Sequence, residues 1–89
     1  MRSVFMRLAL RRMARKNPEY RADIKTILRD GDLLDAVTEA VSENAVYEGI
    51  SKEAPILDWF KWLIEYVIEH PEEIMKIIQL ILTLFMQEE

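Results

Sequence analysis

Apolar residues recur through this chain at helical spacing, and one block dominates, from Ile56 to Met86. It divides into Ile56–Ile68 and Ile74–Met86, joined at Glu69-His70-Pro71-Glu72-Glu73. The polar residues of the first segment are Asp58, Lys61 and Glu65; those of the second are Lys76, Gln79 and Thr83. Both sets are spaced three, then four. On a helix that spacing gathers them into one narrow stripe and leaves the rest of the circumference apolar. Two such helices need cover on most sides, from the other residues of this chain or from another chain. The short joint predicts that they pack antiparallel.

The earlier part of the chain has weaker periods and clearer punctuation. Residues 3–16 contain no helix breaker. Met6, Leu10 and Met13 share one seam, flanked by Ala9 and Ala14, while Val4, Phe5 and Leu8 lie among arginines. Asn17-Pro18-Glu19 has the form of a helix start, with a capping Asn, Pro in the first turn and an acid at the positive end. The second helix is expected to run to Leu28 or Arg29, burying Tyr20, Ile24, Ile27 and Leu28, with Gly31 closing it at positive φ. Asp32 is the expected cap of the third helix, with Asp35 in capping-box position.

Leu33, Leu34, Val37, Ala40 and Val41 form the apolar face of that third helix. Asn44 falls inside this face, either to fix register across an interface or to mark a fraying end. Gly49 ends the helix, and Ile50 is placed for the hydrophobic contact of a glycine cap. Either Ser51 or Pro55 opens the fourth helix, and Pro71 opens the fifth. No stretch alternates with period two, so no strand is expected. The fold class is therefore all-α, a small bundle of four to five helices with a strongly hydrophobic C-terminal helical hairpin. Residues 1–89 form one domain: a basic helix in 1–16, two amphipathic helices in 17–50 and the apolar hairpin in 51–89.

Composition narrows this further. Two glycines and three prolines in 89 residues favour a few long helices over a loop-rich fold. The absence of cysteine excludes disulfides, thiol nucleophiles and Cys-ligated zinc. Neither half of the apolar block reaches the roughly 20 residues that span a bilayer, and each half carries charge, so a soluble protein is expected. No apolar core precedes a small-residue cleavage site, so no secretory leader is expected, although the Arg-rich, acid-free start has the composition of an organellar presequence.

Net charge is −4, but it is divided. Arg2, Arg7, Arg11, Arg12, Arg15 and Lys16 stand at the start with no acid among them, and all sixteen acids follow. A basic arm precedes an acidic body.

Candidate chemistry follows from these two features. Trp59, Phe60, Trp62, Tyr66, Ile78, Leu82 and Phe85 are the expected interface to a second copy or a helical protein partner, because large aromatic and aliphatic residues beyond what a small bundle buries mark contact sites. Arg7, Arg11, Arg12, Arg15 and Lys16 are the candidate anionic-partner residues. Phosphates of nucleic acid, an anionic membrane entered by Val4, Phe5 and Leu8, and acidic protein surface all suit them. The helix pair around Gly31 resembles no DNA reader, since its second helix carries Asp32, Asp35, Glu39, Glu43 and Glu48 and no base.

Asp30, Asp32 and Asp35 surround a glycine in the wrong place for a calcium loop and suit caps and turns. His70 is the lone histidine, lacks a Glu-x-x-His partner and suits a cap beside Pro71. No nucleophile or phosphate-binding loop accompanies the carboxylates, so no catalytic residue, metal, cofactor or small-molecule substrate is expected. The chain reads as a non-enzymatic structural or interaction subunit that self-associates through its C-terminal hairpin, of the kind that builds a viral or phage particle. A nucleic-acid-associated protein and a peripheral membrane protein are the alternatives.

Overall fold

The computed structural model describes residues 2–51 and 53–86, with only the backbone described at Met86. The described residues are almost entirely helical, without a strand: α1 (Arg2–Lys16), a 3-10 turn (Pro18–Tyr20), α2 (Arg21–Arg29), α3 (Gly31–Tyr47), α4 (Ile56–Glu69) and α5 (Pro71–Met86). The all-α bundle is as the apolar period predicts.

Each helix contributes one apolar seam to a common core. Met6, Leu10 and Met13 of α1 meet Ile24 and Ile27 of α2, Val37 and Val41 of α3, Trp59 and Leu63 of α4, and Ile74 and Ile78 of α5. The spacings within each set are three or four, so one side of each helix turns inward. The two halves of the apolar block do not close mainly on each other. α4 lies chiefly along α1, and α5 chiefly along α3, with a smaller contact between α4 and α5. Helices α1 and α3 thus provide the cover that the apolar period demands.

The cover is incomplete in a regular way. All six residues of the two polar stripes are exposed, as their spacing predicts. Beside the stripes, Leu57 of α4 remains 68% exposed, and Leu80 and Leu84 of α5 remain 60% and 54% exposed.

The helix ends differ from expectation at three places. Asn17 does not cap the second helix. Its side-chain amide donates to the Met13 carbonyl at 3.1 Å, and its backbone N–H does so at 2.9 Å, so Asn17 finishes α1. The chain then makes a 3-10 turn from Pro18 before α2 begins at Arg21.

Gly31 does not take positive φ; among the described glycines only Gly49 does. Asp30 alone links α2 to α3, with extended backbone, and its Oδ1 accepts from Asp32 N–H at 3.0 Å and Leu33 N–H at 3.4 Å. The cap is therefore Asp30, not Asp32. No left-handed residue is needed, because Arg7 reaches across and donates to the Leu28 carbonyl at 3.2 Å, satisfying an end group that a glycine cap normally serves. Asp35 makes no capping box; it accepts from the Ser3 hydroxyl at 2.8 Å.

The end of α3 does follow the glycine pattern. Gly49 sits at φ 95°. Its N–H bonds to the Val46 carbonyl at 3.0 Å, and Ile50 N–H bonds to the Ala45 carbonyl at 2.9 Å. This is the paired closure of a Schellman motif, with Ile50 packed on the core.

Ser51 forms a turn of its own, accepting from Glu53 N–H at 3.1 Å, and the helix starts after Pro55. The Pro55 carbonyl accepts from Asp58 at 2.9 Å and Trp59 at 3.2 Å.

Candidate interaction surfaces

The aromatic residues of α4 are arranged by their four-residue spacing. Trp62 stacks on Tyr66 with centroids 5.0 Å apart, and Tyr66 meets His70 at 5.0 Å. On another side of the helix, Phe60 stacks on Phe5 of α1 at 4.3 Å. The Tyr66 hydroxyl accepts from the Asn44 side-chain amide at 2.8 Å. Asn44 therefore marks no fraying end: α3 continues through it, and it gives a half-buried tyrosine a polar partner across two helices. His70 closes α4 through its N–H to the Tyr66 carbonyl at 2.7 Å, and its carbonyl accepts from Glu73 at 3.1 Å in the first turn of α5.

The expected interface set divides accordingly. Trp59 and Ile78 lie inside the bundle, so their bulk serves this chain's own core. The Trp59 Nε1 is buried with no hydrogen-bond partner among the described residues, while the Arg2 guanidinium stands 5.3 Å above the ring. Phe60, Trp62, Tyr66 and Leu82 are half-buried, and Phe85 is exposed near the end of α5. On α4 and α5, Leu57, Ile68, Leu80 and Leu84 are outward residues that the sequence pattern did not single out. For three of them the signal was present: Leu57, Ile68 and Leu80 lie beside a polar stripe and turned well away from the core seam of their helix.

The basic residues also divide. Arg7 is half-buried and committed to the Leu28 carbonyl. Arg11, Arg12, Arg15 and Lys16 are exposed, and among the described residues none of them forms an ion pair. Like charges four apart, such as Arg11 with Arg15 and Arg12 with Lys16, destabilise a helix by a few tenths of a kcal/mol per pair. The negative end of the α1 dipole favours Arg15 and Lys16 in its last turn. Val4 and Leu8, both exposed, continue the outward face toward the start of α1.

A second charged feature emerges on α3. Asp35, Glu39 and Glu43 recur every fourth residue and are exposed. With Arg2, Ser3 and Thr38 they border a shallow cleft of about 410 Å³. The Ser3–Asp35 hydrogen bond pins the start of α1 to its edge.

Among the described residues no helix is long and apolar enough to cross a membrane. No known protein family, curated protein or solved structure matches the chain.

Proposed function

We propose that this protein is a non-enzymatic interaction subunit that self-associates through apolar residues left outside by α4 and α5. The observation that carries this is the exposure of Leu57, Leu80 and Leu84 beside the two polar stripes. A small bundle needs none of these leucines outside for its own fold. Apolar side chains left exposed on a surface favour contact, because joining them to another surface removes water from both partners. The half-buried Trp62, Leu82 and exposed Phe85 add amphipathic and apolar edge to the same two helices. A second copy of the chain presents the same residues, so a two-fold contact pairs like with like.

The test is absolute mass in solution by light scattering on a sizing column, at about 1 M salt, where surface charge is screened within about 3 Å. The expected mass is a multiple of the 10.6 kDa chain. Leu80→Glu/Leu84→Glu is expected to return the monomer with its helical circular dichroism unchanged. A wild-type monomer under these conditions refutes the proposal.

A further inference from the structure

We infer that the cationic outer face of α1 docks into the acidic cleft beside α3 of a second copy, in a head-to-tail contact. This does not rest on the apolar contact proposed above; it uses different residues and a different force.

The first support is charge complementarity left open among the described residues. There the cleft sets three carboxylates, Asp35, Glu39 and Glu43, with Arg2 as the one cation among its lining residues. The α1 face sets Arg11, Arg12, Arg15 and Lys16 together, with no described acid paired to any of them. The second support is the stiffness of α1. Its start is fixed at the cleft edge by the Ser3–Asp35 hydrogen bond, and its middle is fixed at the end of α2 by the Arg7–Leu28 bond. The cations lie about ten residues beyond Ser3, which a helix places roughly 15 Å away. A helix held at two points cannot turn its far end back into its own cleft. The cleft of a neighbour has no such restriction.

The same spacing answers the objection that two copies of charge −4 repel. At about 0.1 M salt the screening length is about 10 Å, shorter than the separation of the two faces, so each face responds to what lies directly opposite it. A contact between two different surfaces leaves one of each unused in a pair, so it adds further copies, into an open chain or into a ring where the rotation closes.

The experiment compares three full-length proteins: wild type, Arg11→Gln/Arg12→Gln/Arg15→Gln, and Glu39→Gln/Glu43→Gln. All five positions are exposed, and circular dichroism checks that the helices remain. Mass is measured at about 0.1 M and about 1 M salt. Each protein's own value at the higher salt is its reference, which separates this contact from the apolar one.

Wild type is expected to rise at least about twofold at the lower salt, because an unclosed contact adds copies. Each variant alone is expected to stay at its reference. A one-to-one mixture of the two variants is expected to associate, since one keeps the cleft and the other keeps the cations. Wild-type mass independent of salt overturns the inference. So does a mixture that remains at the masses of its components. Loss of duplex-DNA binding in the arginine variant, without any change in mass, assigns the face to phosphates and also overturns it.

Discussion

Ile78 and Leu80 sit two residues apart on α5 and therefore on nearly opposite sides of it. Ile78 is fully buried; Leu80 is more than half exposed. Ile78→Val deletes one buried methyl group. The transfer cost is about 0.8 kcal/mol, inside the range of about 0.5–1.5 kcal/mol that buried Ile-to-Val changes cost in all. A domain of this length has a total stability of roughly 4–13 kcal/mol, so the variant still folds and its loss is measurable. At this size a loss of about 1 kcal/mol lowers Tm by about 4–8 °C.

Leu80→Ala removes more atoms, but from a surface site, and is expected to change the isolated chain by no more than about 0.5 kcal/mol. The assay is thermal unfolding by circular dichroism at two protein concentrations about tenfold apart. A Leu80→Ala effect that appears only at the higher concentration belongs to the contact between copies, because association stabilises by mass action. A Leu80→Ala loss equal to that of Ile78→Val at the lower concentration would refute the rotational setting of α5, and with it the proposed surface.

Two further expectations concern the helix ends. Gly49→Ala is expected to cost about 1–2 kcal/mol in chemical denaturation, because φ 95° suits glycine alone, whereas Gly31→Ala, at ordinary φ with open space around it, is expected to stabilise by about 0.4–1 kcal/mol. Asp30→Ala is expected to cost about 0.5–2 kcal/mol as the true cap of α3, and Asp32→Ala, measured the same way, less than about 0.5 kcal/mol; the reverse order would place the cap where the sequence pattern alone puts it.

Periodicity made the helices legible, and with them the six polar-stripe residues and the end of α3 at Gly49. These depend on side-chain spacing or on one backbone requirement, both local. The misplaced features divide between local links and partners distant in sequence. Asp30 displaces Asp32 as cap because α2 and α3 share a single link residue, and Gly31 keeps ordinary φ because Arg7, far earlier in the chain, serves the end of α2. Asn44 looked like a flaw in an apolar face until Tyr66 supplied its partner. The interface set was drawn from the largest residues, and size does not say which way a residue turns: Trp59 turned inward, while the plainer Leu57 and Leu80 stayed out. Among the arginines, the separation of Arg7 from Arg11, Arg12 and Arg15 likewise required knowing where α2 ends.

The pairing of α1 with α4 has a consequence for how the chain is made. The first helix meets its largest partner about forty residues further along. During synthesis, the seam of Met6, Leu10 and Met13 is therefore made before its partners on α4, and its burial is completed after α4 emerges. The link between Tyr47 and Ile56 is also the natural place to divide the protein. A cut there leaves three core seams in one piece and two in the other, so each piece holds apolar surface shaped to the other and neither can bury its seams alone.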